Sequence, residues 1–252
     1  MSDPWIMKGL SRQDPLRIRS ASELTACVSE IGFLPFFANE VAGFSAEERV
    51  AADAWWTGDR EQDPWEWRET IAAGHEIAYG KFFDGRAGFI APAWLPAFAN
   101  ARREGWDFDG KWQSGAASLR EKNLMAFFVD PESGDEPRFT GAELLSTDLK
   151  RMAGFGKGGE KNYPGVLTGL QMQLYLVIAG FRRRQNRLGV GYGMPVSVIA
   201  APESIWGYDL MSSAYEESPG ISWDRIMKHA MEMYPSAGDA AIIRLIGKRP
   251  DV

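Results

Sequence analysis

The spacing of apolar residues in the first part of the chain predicts three short helices followed by a β-hairpin. Apolar residues recur at helical intervals after a capping residue in the segments 22–32, 45–57 and 63–74. The segment 76–94 is rich in aromatic residues and is divided by Asp84-Gly85, a pair typical of tight hairpin turns. Three helices followed by a hairpin is the element order of a winged helix-turn-helix unit.

The same order recurs in the second half of the chain. Ser118 and Glu121 have the spacing of a capping box at the start of a helix, and Thr140 is a candidate cap for the next helix. A third helix is predicted before a hairpin whose tip is basic and contains glycines. The predicted helices are 118–129, 140–156, in which Ser146-Thr147 is a candidate break, and 163–173, and the predicted strands are 174–181 and 194–201.

We therefore predict an α+β protein, mainly helical, that consists of tandem winged helix-turn-helix units with β-hairpin wings. The last fifty residues contain one amphipathic helix, from Ser222 to about Tyr234, and are expected to form a cap on these units. The predicted parts are an N-terminal tail at 1–19, a first unit at 20–112, a second unit at 113–202 and a C-terminal helical cap at 203–252.

The composition is that of an ordinary folded protein and excludes several kinds of chemistry. Hydrophobic residues make up 45% of the chain and charged residues 25%, which are globular averages. With only His75, His229 and Cys27, the chain cannot assemble a zinc site of the usual type. Catalysis by a Ser-His or Cys-His pair would require distant parts of the chain to meet. We predict no metal and no cofactor.

The sequence also predicts a cytoplasmic protein without a membrane partner. No apolar run approaches the ~18 residues that a membrane-spanning helix needs. The first residues lack the basic and then apolar pattern of a signal peptide. The single cysteine, Cys27, rules out an internal disulfide and agrees with a reducing compartment.

Positive charge is concentrated in one part of the chain. The net charge is −6, yet residues 150–187 contain eight cations and one acid, so this segment has a charge of +7 and the remainder −13. A cluster of one sign is typical of an anion-binding face, and we predict that it binds DNA phosphates. The alternative is a solvated basic surface or a partner for the acidic remainder. The predicted DNA contacts are Lys157, Lys161, Arg182, Arg183, Arg184 and Arg187.

Two glutamines lie where the predicted third helix of the second unit meets the wing strand. Gln171 and Gln173 belong to the segment LQMQ. Tandem winged helices with such a motif resemble the AlkZ and YcaQ family of bacterial DNA glycosylases. The segments DPWEWR, AYGKFFDGRAGF and YGMPVSV are similar to the group of proteins called AlkZ-related. The resemblance covers about residues 20–230.

The resemblance implies a winged-helix protein that binds DNA and excises alkylated bases by hydrolysing the N-glycosidic bond. Gln171 and Gln173 would hold the water that attacks the anomeric carbon of the sugar, in place of the paired carboxylates of ordinary glycoside hydrolysis. The glycosylases of the family are longer, with three winged helices. Two alternatives remain open: both amides are structural, or the chain is a non-catalytic scaffold that binds a protein or a small ligand.

Overall fold

Packing divides the chain into two compact units. The computed structural model describes residues 7–130, 137–185, 188 and 191–251, and only the backbone of residues 184, 185 and 191. The fold is α+β with small antiparallel sheets. The first unit consists of Met1–Trp94 and Ile226–Lys248, and the second consists of Leu95–Arg225 and Arg249–Val252.

The packing groups residues differently from the predicted parts. Residues 95–112 pack with the second unit, and the predicted C-terminal cap is divided between the two units. Within the predicted tail, Leu10 and Ile18 form parallel bridges to Ala51 and Val50. These bridges fix the N-terminal segment against the first unit.

Within the described residues, the first unit contains a three-stranded antiparallel sheet. The elements up to and including this sheet are α1 (Ala21–Ile31), β1 (Phe33–Pro35), α2 (Pro64–Gly74), β2 (Ala78–Phe83) and β3 (Arg86–Ile90). β3 lies between β1 and β2, and the turn at Asp84-Gly85 joins β2 to β3 as the sequence predicts. Asp63 caps α2 by accepting a hydrogen bond from the Trp65 amide.

The predicted helix at 45–57 is wrong. The Glu48 amide donates a hydrogen bond to the Ser45 hydroxyl, which in turn donates to the Glu48 carboxylate, but the chain makes only two short 3₁₀ turns, at Glu47–Arg49 and Ala52–Ala54. Val50 and Ala51 between the turns are extended and form the bridges to the N-terminal segment. Pairing with a distant segment thus overrides the local helical pattern.

The second unit has a sheet with the same strand order. The elements of this unit, up to and including the sheet, are α3 (Leu95–Arg103), α4 (Phe108–Gln113), α5 (Leu119–Met125), β4 (Leu144–Leu145), α6 (Ser146–Met152), α7 (Tyr163–Met172), β5 (Val177–Gln185) and β6 (Gly191–Ala200). β6 lies between β4 and β5, and it is antiparallel to both.

Thr140 does not cap a helix, which corrects the prediction for 140–156. Leu144 and Leu145 pair with Ile199 and Val198, so the chain is a short strand there and α6 begins only at Ser146. The Thr140 hydroxyl instead donates a hydrogen bond to the Phe127 carbonyl at 2.8 Å. Again, a partner far along the chain decides the local conformation.

The hydrophobic core of the second unit lies between α5, α6, α7 and the sheet. Leu124, Leu149, Leu170 and Ile199 are fully buried within one cluster. This core fixes α7 and the start of β5. The remaining helices are α8 (Pro202–Trp206), α9 (Tyr208–Ser212), α10 (Pro219–Met233) and α11 (Asp239–Ile246). Among the described residues, no helix is both long and apolar enough to cross a membrane.

Candidate nucleic-acid interface

The loop before α7 carries two exposed lysines, Lys157 and Lys161. Neither forms an ion pair within the described part of the chain. The acid in this basic segment, Glu160, binds Arg120 at 2.7 Å and so does not neutralise them. The lysines also precede the N-terminus of α7, where the helix dipole favours anions. Their charges are therefore available to an anionic partner.

The predicted wing residues differ in their surroundings. Arg182 forms a surface ion pair with Glu143 at 2.9 Å. Arg183 is exposed and donates a hydrogen bond to the Gly193 carbonyl at 3.0 Å. The backbone of Arg184 pairs with Tyr192. The side chain of Arg184 and the whole of Arg187 lie outside the described residues. Because exposed ion pairs are weak, Arg182 as well as Arg183 can contact a phosphate.

The two glutamines of the LQMQ segment lie in different environments. Gln171 is 2% exposed, and its amide donates a hydrogen bond to the Leu167 carbonyl at 3.2 Å. Gln173 is half-buried at the end of α7. Its amide donates to the Gly169 carbonyl at 3.0 Å, and its side-chain oxygen accepts from the Lys111 ammonium. Two residues two apart on a helix do not share a face.

Glu121 completes a polar cluster around Gln173. Lys111 Nζ lies 3.6 Å from Glu121 Oε1, and the Ser118 amide donates to Glu121 Oε2 at 2.7 Å. Burial raises the pKa of the Glu121 carboxyl, but hydrogen bonds from Ser118 and the charge of Lys111 outweigh it and lower the pKa. Glu121 is thus an ionised carboxylate beside an amide. No motif in the sequence indicates this cluster, because its members come from three separate helices.

The glutamines and the lysines lie at opposite ends of α7. Lys161 precedes the first turn of α7, whereas Gln171 and Gln173 lie at its last turn. Ten residues at 1.5 Å per residue give a helix about 15 Å long. The structure therefore does not bring the predicted catalytic amides next to the predicted phosphate-binding lysines.

The model of the AlkZ-related family matches residues 18–247. The chain belongs to the AlkZ-related family. Comparisons with curated proteins and with solved structures find no match. The matched region of this AlkZ-related chain includes both sheets, the loop before α7, the hairpin and the polar cluster around Gln173. Membership therefore supports a relationship to DNA glycosylases for the protein as a whole.

In this AlkZ-related chain, two arginines of α3 hold the junction between α7 and β5. Arg102 donates to the Met172 carbonyl at 3.0 Å, and Arg103 donates to the carbonyls of Gln173 and Leu174. Leu174 is fully buried and has a φ of 60°, an unusual conformation for a bulky residue. The arginines thus satisfy the last carbonyls of α7 and fix the backbone of Gln173.

Arg103 is itself part of a buried network. Its guanidinium lies 2.5 Å from the Glu203 carboxylate, and the two side chains are 1% and 2% exposed. It also donates to the Tyr215 hydroxyl at 3.0 Å. Burial raises the pKa of Glu203, although the charge of Arg103 opposes this. Because both ions are enclosed and paired, we assign the network a structural role in supporting Gln173.

The first unit contains a separate cavity of about 550 Å³. Phe37 and Phe83 provide apolar walls, and Lys8 and Arg86 provide cations at its edge. Its volume is typical of small-molecule pockets. Within the residues that the structure describes, no three His, Cys, Asp or Glu side chains converge as a metal site requires.

Proposed function

We propose that this AlkZ-related chain is a winged-helix protein whose second unit binds double-stranded DNA. The observation that supports this most is the order of elements from α5 to β6. A helix, a strand, two helices and a hairpin follow one another, and the first strand pairs with the last. In winged helices with this arrangement, the third helix can enter the major groove while the hairpin lies along the phosphates.

The charges of the second unit support the same proposal. Lys157 and Lys161 are exposed and free of carboxylates in the part of the chain described, and they lie directly before the proposed recognition helix, α7. Arg182 and Arg183 are exposed on β5, the first strand of the proposed wing. Cations on these two elements would contact phosphates and release counterions from DNA. The first unit has a sheet with the same strand order, but the segment before its helix α2 carries a single cation, Arg60, between two acids.

The salt dependence of DNA binding tests this proposal. We expect the logarithm of the affinity to fall linearly with the logarithm of salt concentration, with a slope of about −0.9 for each phosphate contact. The double variant Lys157→Ala/Lys161→Ala should bind random duplex DNA more weakly and with a shallower slope. Fluorescence anisotropy of labelled duplex across salt concentrations measures both quantities.

A matched control removes two other cations. Arg60 and Lys248 are exposed in the first unit and have no ion pair among the described residues. Arg60→Ala/Lys248→Ala changes the net charge equally and should leave the slope unchanged. Equal slopes for wild type and Lys157→Ala/Lys161→Ala would contradict the proposed interface. No binding at low salt would contradict DNA binding altogether.

For the reaction, we propose the excision of alkylated bases by hydrolysis of the N-glycosidic bond, with Gln173 as the amide that positions water. Gln173 has exposed surface, whereas Gln171 is enclosed. The ionised Glu121 next to Gln173 can accept a proton from that water, and Lys111 holds the amide oxygen. An alkylated base that carries a positive charge is a good leaving group, so one carboxylate suffices.

A second candidate function is binding of a small ligand without catalysis. The cavity of about 550 Å³ in the first unit favours it, because apolar walls with a few charged groups at the edge are typical of ligand pockets. In its lining the cations Lys8, Arg86 and Arg244 outnumber the acids Glu40 and Asp84. This balance favours a ligand with an apolar part and an acidic group. This candidate predicts no shift of duplex DNA even at low salt, which separates it from the first.

A further inference from the structure

The N-terminal segment and α2 border a second cavity in the first unit, which is lined by three arginines. The cavity has a volume of about 290 Å³, and Arg12, Arg17 and Arg19 line it together with Gln62 and Trp67. No carboxylate lines it among the residues described. We propose that this cavity, here called the arginine cavity, binds a phosphate group.

Backbone hydrogen bonds hold the arginine-bearing segment in place. The Leu10 amide donates to the Val50 carbonyl at 2.8 Å, and the Ile18 amide donates to the Arg49 carbonyl at 2.7 Å. Ile18 is buried between Arg17 and Arg19. The two arginines therefore start from a fixed backbone, so binding an anion orders only their side chains.

Arg12 is a structural member of the arginine cavity. Its Nε donates to Asp53 at 2.8 Å, and its Nη1 donates to the Gln62 side-chain oxygen at 3.2 Å. Asp53 thus neutralises Arg12, so the net positive charge of the lining comes from Arg17 and Arg19. These bonds also orient Gln62, whose amide nitrogen has no acceptor in the described part of the chain.

Arg17 and Arg19 supply the donors for the ligand. Arg17 Nε donates to the Arg12 carbonyl at 2.7 Å, and among the described residues no acceptor binds its two terminal nitrogens. The Arg19 side chain likewise has no acceptor there. The nearest acid along the chain, Glu23, accepts from the Arg19 backbone amide. The lining therefore offers two guanidinium groups and one amide nitrogen whose donors are not used within the described part of the chain, and it contains no carboxylate that would compete with an anion.

The chemistry of these donors favours phosphate. Guanidinium groups bind phosphate oxygens through paired hydrogen bonds, and two positive charges in excess attract either the dianion of a phosphate monoester or the singly charged diester of DNA. The volume equals about ten water molecules at roughly 30 Å³ each, which is enough for a phosphate and a small organic part. The phosphate can belong to a free phosphate monoester or to the DNA backbone.

Titration with inorganic phosphate at constant ionic strength tests the arginine cavity. We expect saturable binding by isothermal titration calorimetry, and an affinity at least tenfold lower in Arg17→Ala/Arg19→Ala. The matched control, Arg60→Ala/Lys248→Ala, should bind as wild type does. Binding that does not saturate, or that is equal in Arg17→Ala/Arg19→Ala and wild type, would overturn the proposal.

A second variant tests whether lost binding in Arg17→Ala/Arg19→Ala is caused by misfolding. In Gln62→Glu, the side chain can still accept from Arg12, so the fold is expected to persist, but the new carboxylate repels an anion. We expect Gln62→Glu also to lose at least tenfold in phosphate affinity while its circular dichroism and melting temperature stay those of wild type. Undiminished affinity in this folded variant would equally overturn the proposal.

Two further titrations distinguish the source of the phosphate. If glycerol phosphate binds the protein and the Gln62→Glu variant binds duplex DNA as tightly as wild type does, the ligand is a free phosphate monoester. If duplex affinity falls in Gln62→Glu, the cavity holds a backbone phosphate. Either result supports the arginine cavity, and neither depends on α7, so loss of the second-unit DNA interface would not remove it.

Discussion

At the scale of single residues, burial separates two amides that the sequence presents as a pair. Gln171 lies in the core of the second unit and bonds to the preceding turn of its own helix. Gln173 touches Lys111 and lies beside Glu121. A buried amide that loses its partners costs about 1–3 kcal/mol, whereas an amide at the surface is available to a substrate. The two positions should therefore respond differently to the same substitution.

We predict that Gln173→Ala abolishes base excision while the protein stays folded. The assay measures abasic sites formed in duplex DNA that carries alkylated purines. Gln171→Ala should instead lower the free energy of unfolding by about 1–3 kcal/mol, and in the fraction that stays folded the excision rate should change little. Urea unfolding of both variants provides the control. Loss of excision in a folded Gln171→Ala, with Gln173→Ala active, would reverse the assignment.

Some of these residues could be found from the sequence. The exposure of Lys157 and Lys161 follows from the sequence, because a glycine-rich loop with a high local charge is exposed almost by necessity. The role of Lys111 and Glu121 beside Gln173 could not be found, since 62 positions separate Lys111 from Gln173 and only packing brings them together. Local composition thus predicts exposure, and it does not predict which polar groups meet.

At the scale of elements, the caps of helices carry much of the local stability. In α5, the Ser118 side chain accepts from the Glu121 amide while Glu121 bonds back to Ser118, which is a complete capping box. This helix also presents Glu121 to Lys111 and Gln173. The same carboxylate therefore stabilises the start of α5 and belongs to the candidate site.

We predict that Glu121→Gln lowers the free energy of unfolding by about 0.3–1 kcal/mol near neutral pH, because glutamine can keep the capping box but loses the negative charge beside Lys111 and the N-terminus of α5. The pKa of Glu121 is lower in the folded state than its usual 4.5. Its contribution is therefore present above the unfolded pKa and is lost as the pH falls through the folded pKa. Urea unfolding of wild type and variant from pH 7 to pH 3 measures the difference, which should shrink below about pH 4. A difference that is constant with pH would contradict this explanation.

The sequence predicts the start of a helix correctly where a capping residue directly precedes that helix. Asp63 followed by Pro64 marks the start of α2, and Ser118 marks the start of α5. The predictions failed where short extended stretches interrupt a helical pattern, at Val50-Ala51 and Leu144-Leu145. These stretches are extended because they pair with distant segments. The spacing of apolar residues within a short window contains no information about such pairing.

At the scale of the whole molecule, the first unit is discontinuous in sequence. The chain leaves it at Trp94 and returns at Ile226. The returning segment supplies contacts inside the unit: the rings of Tyr234 and Phe44 lie 4.3 Å apart, Arg49 donates to the Tyr234 hydroxyl at 3.1 Å, and His229 Nε2 lies 2.8 Å from the Ile31 carbonyl oxygen. Residues 226–248 thus cover part of the core of the first unit.

We predict that a fragment of residues 7–94 does not unfold cooperatively by itself. Without the returning segment, Phe44 and neighbouring apolar residues are exposed to water. The folded fragment then loses about 25 cal/mol of stabilising free energy for each Å² of apolar area left unburied. Adding a peptide of residues 226–248 should restore a cooperative thermal transition measured by circular dichroism. The same peptide with Tyr234→Ala should restore less. A cooperative transition of the fragment alone would contradict the prediction.

The return of the chain also sets the order in which the protein can form during translation. The ribosome must add the 154 residues from 95 to 248 before the first unit is complete. At roughly 5–20 residues per second, this takes about 8–30 s. The second unit, although later in the sequence, has nearly all its residues by Arg225. During synthesis, the aromatic surface around Phe44 is therefore open to chaperones for many seconds.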